Sequence, residues 1–236
     1  MAGTVAMARL LDARRVRATW LGLRADPPPA SDHDPDPALV DHLTRPFDTV
    51  DDAFERLRDL ETRLRAAGDR RAVFLTVYTR MTAAVRAAID DGRFADPAWM
   101  RRYTVTFADY YRRAFLAFER GDEDVPAPWR VAFGTALSGD ALVVQDAFLG
   151  INAHINYDLA LTLRDLGIDP ARRRKRADHD RIDAVLADLV DAQQAALADL
   201  YAPGLSTVDA TLGRFDEALS LVSMTEGRAW AWRTAV

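Results

Sequence analysis

The chain has 236 residues, no cysteine, and a formal net charge of -5 from 31 Lys and Arg against 36 Asp and Glu. That length buries a self-sufficient core, while the missing thiols exclude disulfides, cysteine nucleophiles, zinc fingers and iron–sulfur ligation. The modest acidic excess gives no general attraction to phosphate backbones, so nucleic acid is not an expected partner.

Lys175 is the single lysine among many arginines, the composition of a high-GC genome of the actinobacterial kind. No uninterrupted apolar run of about 18 residues occurs, so no membrane span is predicted. Arg9, Arg14, Arg15 and Arg17 break up the apolar residues of the N-terminus, unlike the apolar stretch of a secretory leader. A cytoplasmic location is the resulting expectation.

Residues 4–24 carry Val5, Leu10, Leu11, Val16, Trp20 and Leu23 in a pattern that predicts an amphipathic helical arm, ended by Pro27-Pro28-Pro29. Such an arm suits docking onto a partner or a second copy, which makes a homodimer an expectation to test. Ala30 to Pro46, with Pro35 and Pro37 among acidic residues, predicts an extended linker. The expected division is therefore 1–46, arm and linker, and 47–236, one helical domain.

From Asp48 onward the period is helical. Asp48 or Thr49, Asp69, and Asp96 before Pro97 are helix starts, and Gly68, Gly92 and Gly121 are stops. The helix after Pro97 carries Trp99, Met100, Tyr103, Phe107, Tyr110, Tyr111, Phe115 and Phe118, a wide aromatic face that predicts heavy burial or a pocket wall. Pro126 and Pro128 open a segment from Trp129 to Leu137, and Ser138-Gly139-Asp140 separates it from an apolar helix. The run Arg172 to Arg176 after Gly167 predicts a solvated loop. A helix from about His179 to Tyr201 and a last one from Ser206 or Thr207 through Trp230 complete an all-α, bundle-like domain of about six to eight helices.

The densest chemical signal is Asn152-Ala153-His154-Ile155-Asn156-Tyr157-Asp158, inside one of the most apolar stretches of the chain. Each unpartnered polar group buried there would cost roughly 2–7 kcal/mol. On a helix His154 and Asp158 share a face, as do Asn152 and Asn156. Asp146 precedes at multiples of the same spacing, but each four-residue step turns by about 40°, so it cannot share one tight site with Asp158.

Three readings remain open for the cluster. His154 can serve as a general acid or base oriented by Asp158, with Asn152 or Asn156 donating to a substrate oxygen. His154 and Asp158 can be ligands to a divalent metal, completed from other helices, although Glu-x-x-His and HExxH motifs are absent. Or the four residues form a satisfied network that fixes helix packing. Burial and the carboxylate push the His154 pKa in opposite directions, so sequence does not fix its charge.

Tyr78, Asp109, Tyr111 and Asp146 are further candidates for lining a substrate pocket, with a pair to Arg112 or Arg113 as the plainer expectation for Asp109. His33, His42 and His179 carry no assigned role.

The run Gly150-Ile151-Asn152-Ala153-His154-Ile155-Asn156-Tyr157-Asp158-Leu159 resembles the signature of a bacterial family of uncharacterised proteins, domain of unknown function 5995. The likeness extends from about Phe47 to Arg233. It implies an all-helical single domain and brings no reaction with it. Where the family's run often continues into Pro, this chain has Ala160, which predicts a helix unbroken through Leu163. Together these readings lead to the expectation of an enzyme that handles a small, largely hydrophobic molecule by acid–base chemistry. The alternatives are a non-catalytic ligand-binding or helix-docking protein and a metalloprotein.

Overall fold

The computed structural model describes residues 34–189 and 224–235. The predicted arm over residues 4–24, the continuation of the predicted helix past 189 and the start of the last helix lie outside them. Every regular element among the described residues is helical, as the period of the sequence requires.

In chain order the helices are α1 (Pro37–Thr44), α2 (Val50–Ala66), α3 (Ala72–Asp90), α4 (Pro97–Arg120), α5 (Ala127–Ser138), α6 (Val143–Ala153), α7 (Leu159–Leu166) and α8 (Arg172–Ala187). A π-helical turn, His154–Asp158, joins α6 to α7, and residues 224–234 form a terminal helical segment. The predicted starts hold at two sites. Thr49 accepts from the Asp52 amide ahead of α2, and Asp96 accepts from the Trp99 amide ahead of α4, with Pro97 in the first turn. At the third, α3 begins after Arg71, and the Asp69 carboxylate instead receives the Arg71 amide and guanidinium.

Two stretches differ from expectation. Residues 37–44, predicted as extended linker, form α1, capped by Asp36, with Leu39 and Leu43 buried against the domain. Pro37 stands in the first turn, where its missing N–H costs nothing, so it starts a helix rather than breaking one. The arginine run predicted as a loop is the beginning of α8. There Lys175 is buried, its ammonium donating to the Gly167 carbonyl at 3.0 Å.

The domain is organised around α3. It packs against α2, α4, α6 and α8, and its residues from Ala72 to Thr79 are all buried. By length and composition α3 is apolar enough to cross a membrane, and a largely buried central helix acquires the same apolar character. Its polar residues are partnered within the fold. Thr76 and Thr79 donate to buried Glu61 of α2, while Arg71 joins Asp69 and Glu119 of α4. Glu119 also receives the Asp36 amide, which ties α1 to the same network.

Apolar side chains form two buried clusters, one around α1–α5 and one joining the far ends of α3 and α4 to α7, α8 and the terminal segment. They meet where α6 crosses α3. Gly150 of α6 lies so close to Phe74 that a Cβ there would sit 2.5 Å from the ring. Glycine weakens a helix interior by roughly 0.5–1 kcal/mol relative to alanine, so its presence reflects this approach. Gly150→Ala is expected to destabilise by about 1–3 kcal/mol through overpacking, despite better helix propensity. Gly121→Ala, at φ 74 with no atom within 4 Å, should cost about 1 kcal/mol from the left-handed backbone alone. Chemical denaturation of the two variants checks both, and a neutral Gly150→Ala would contradict the close packing.

Candidate functional site

The polar cluster divides between two faces. His154 and Asp158 point inward and are 2% and 1% exposed, whereas Asn152 and Asn156 lie on the outer surface, bonded to each other at 2.7 Å. The asparagines therefore do not serve the interior, which corrects their expected role as donors to a substrate oxygen. The terminal segment crosses here at Gly227, where a Cβ would meet Asn156 Oδ1 at 2.7 Å and Ile155 at 2.9 Å.

The helix is not continuous to Leu163. The Leu159 amide bonds to the His154 carbonyl, five residues back, making the wider turn of a π-helix. One extra residue in a turn rotates the downstream residues by about 100° relative to an uninterrupted helix. Ala153, His154 and Ile155 are buried in succession, and Asp158 and Leu159 return to the core after exposed Asn156 and Tyr157.

Within the core, His154 Nδ1 and Asp158 Oδ2 are 2.8 Å apart, and Trp129 of α5 donates its indole N–H to the same oxygen at 2.9 Å. An ionised carboxylate has only acceptor sites, so opposite Asp158 Oδ2 it is Nδ1 that carries the imidazole proton and donates. The opposite nitrogen, Nε2, is buried and has no partner. Aromatic rings surround it. Phe107 stacks on the imidazole with centroids 3.6 Å apart, and Tyr78 meets it edge-on at 4.5 Å.

Burial lowers the His154 pKa and outweighs the opposing pull of Asp158. Burial raises that of Asp158, against the hydrogen bonds from His154 and Trp129. His154 is thus a neutral imidazole with its lone pair on Nε2.

A cavity of about 60 Å³ lies beside this ring, at the seam of the two apolar clusters. Counting the part open to solvent, the unfilled space is about 580 Å³. Phe74, Tyr78 and Thr82 of α3 form one wall, Tyr103 and Phe107 of α4 another. Ile182 and Leu186 of α8, with Met224 and Arg228, close the far side.

Of the residues predicted to line a pocket, Tyr78 does so. Tyr111 is buried 6.2 Å from the imidazole centroid but lies behind the wall. Asp109 does not face the cavity. It pairs with Arg112 and Arg113 and receives the Phe47 amide. Asp146 is separate as well, bound to Arg70 at 2.8 Å, where burial raises its pKa.

A second network borders the cavity and was not anticipated. His179 Nε2 lies 3.1 Å from the Arg228 carbonyl and so must donate, leaving Nδ1 to accept from the Tyr103 hydroxyl at 3.1 Å. Arg228, fully buried, donates to Asp183 at 2.6 Å and to the His179 carbonyl. Burial and the Arg228 charge hold His179 well below the ordinary imidazole range. Nothing local marks these residues in the sequence, because Tyr103, His179 and Arg228 come from three distant segments. Trp129 was missed for the same reason, and its one local sign is that a buried indole N–H must find an acceptor.

For a metal, the pairing of Nδ1 with Oδ2 leaves Nε2 as the free coordinating atom of the imidazole. No group of three or more His, Asp or Glu side chains with ligand geometry occurs among the described residues. Nε2 would hold an ion together with ligands from outside that set.

A family model described as a family of unknown function (DUF5995) matches residues 50–236. The chain belongs to that family. No curated protein and no solved structure matches it. The family match opens at the first residue of α2 and takes in the cavity walls, the π turn and the terminal segment. The resemblance carried by Gly150 to Leu159 thus falls on the segment that presents His154 and Asp158.

At pH 6.5, where a free imidazole is about half protonated, the ring signals of His154 and His179 are expected to remain those of the neutral form. The unfolded chain takes up these protons as pH falls below about 6.5 and the folded chain does not. Their contribution to stability is accordingly whole above that pH and is lost as pH falls toward the folded pKa values. Titration by NMR of the imidazole resonances checks this, and half-protonation of either ring at 6.5 would overturn it.

Proposed function

We propose that this protein is an acid–base enzyme acting on a small, largely apolar molecule bound in the cavity beside His154. The observation that carries the reading is that His154, a residue lining the cavity, has a buried and unpartnered Nε2 while its other ring nitrogen is held by Asp158. A neutral imidazole can take a proton at Nε2, and the Asp158 carboxylate stabilises the imidazolium so formed. Trp129 positions that carboxylate.

The chemistry favoured is transfer of one proton. Among the described residues the cavity wall presents no hydroxyl or thiol nucleophile bonded to His154, and the asparagines that could have held an oxyanion are outside. The π turn adds support, since such insertions are frequent at functional sites. A second reading, binding without turnover, draws on the bonding of the other lining polar groups, which hold one another rather than a reacting molecule.

A one-base probe separates the two. 5-Nitrobenzisoxazole opens to a cyanonitrophenolate when a base removes the C3–H proton of its isoxazole ring and the N–O bond breaks. The protein is expected to accelerate this opening, with His154→Gln losing about 10²–10⁴-fold and Asp158→Asn losing rate while keeping affinity. Binding of the probe with no turnover would instead sustain the non-catalytic reading. The Tm of each variant, measured alongside, distinguishes lost chemistry from lost folding.

A further inference from the structure

The hydrogen-bonding state of the cavity wall narrows the class of molecule it can take, given the site proposed above. Apart from the Tyr78 phenol, the hydroxyls and the guanidinium on the described wall can each be followed to a partner. The Thr82 and Thr104 hydroxyls donate to the carbonyls of Tyr78 and Met100, one turn back. The Tyr78 phenol lies near the Thr82 hydroxyl, and burial raises its pKa. The Tyr103 hydroxyl is held by His179 Nδ1, and the Arg228 guanidinium by Asp183 and the His179 carbonyl. Five buried side-chain atoms of the described residues lack a partner, on Trp99, Tyr111, Arg130, Asp146 and His154, and only His154 belongs to this wall.

The buried atom left without a partner among the described lining residues is thus an acceptor, Nε2, in apolar surroundings. A carboxylate or phosphate would meet no uncommitted cation there and would lie near the buried Asp158 charge. A ketone, ester or ether would set its own lone pairs against Nε2 and leave both unsatisfied, which disfavours binding. An ammonium carries three donors to a wall with one place for them. Water fits poorly too, because a buried water typically needs two to four polar partners.

We propose that the ligand of this cavity is an uncharged molecule with one hydrogen-bond donor, O–H or N–H, on an otherwise apolar body, and that this donor bonds to His154 Nε2. The class rests on the reading of the cavity as a ligand site. The same proton is the one a base at Nε2 would take.

Three probes of nearly one shape test it on the unaltered protein: phenol, fluorobenzene and benzaldehyde. Phenol has a donor, fluorobenzene has none, and benzaldehyde has only an acceptor. Binding is followed by NMR titration, with the ¹⁵N shift of His154 Nε2 as the local readout, and His154→Leu is measured alongside. The expected result is that phenol binds about tenfold tighter than either analogue and alone shifts the Nε2 signal as an accepted hydrogen bond does. In a folded His154→Leu the three affinities should converge. Equal binding of phenol and fluorobenzene, or tightest binding of benzaldehyde, would overturn the donor class while leaving an apolar ligand cavity in place. If none of the three binds, the ligand site fails together with the class.

Discussion

Burying a carboxylate among aromatic rings is tolerable only if its charge is met by donors, and the bond between Asp158 and His154 is where the interior of this domain meets that demand. Asp158 Oδ2 receives the imidazole N–H and the Trp129 indole N–H together, which ties α5 to the π turn between α6 and α7. That commitment fixes the tautomer of His154, and with it the lone pair on Nε2. A regular helix would also bring positions 154 and 158 near each other. The wider turn additionally lets Ala153, His154 and Ile155 all enter the core in sequence.

The packing around this pair explains why the imidazole stays neutral. Phe107 covers one face and Tyr78 and Phe74 meet it edge-on, so a positive charge on the ring would lose its hydration with only Asp158 in return. Close approach of α6 to α3 at Gly150 brings these rings together. The central position of α3 is likewise a packing outcome. In the first half of this apolar helix the threonines are bonded to Glu61 and Arg71 is bonded at its start, so that half has no polar face to turn toward water. Among the described residues, buried polar groups such as Arg71 with Glu119 or Arg228 with Asp183 hold one another, whereas His154, alone among the described cavity-lining residues, has a buried atom without a partner.

Much of this organisation is readable in the linear order of residues. Thr49, Asp96 with Pro97, and the glycines at 68, 92 and 121 mark boundaries because capping and left-handed turns depend on residues next to each other in the chain. The pairing of His154 with Asp158 is legible for the same reason, being a contact one turn long. Pro37 misled because proline both ends extended segments and begins helices, and the arginine run misled because charge density alone does not distinguish a loop from the solvated face of α8. The asparagines looked equivalent to His154 and Asp158 because spacing places residues on common faces without saying which face is covered.

By itself, then, the sequence determined the helical class, most helix ends, the absence of thiol chemistry and the local His154–Asp158 pair, since each depends on residues within a few positions of one another. Only the tertiary structure decided that the asparagines face outward, that Trp129 completes the pair, that Tyr103, His179 and Arg228 form a second network, and that Nε2 stands unpartnered beside a cavity. Those outcomes depend on which helices cover which faces, and helix packing is settled by contacts between segments that are far apart in the chain.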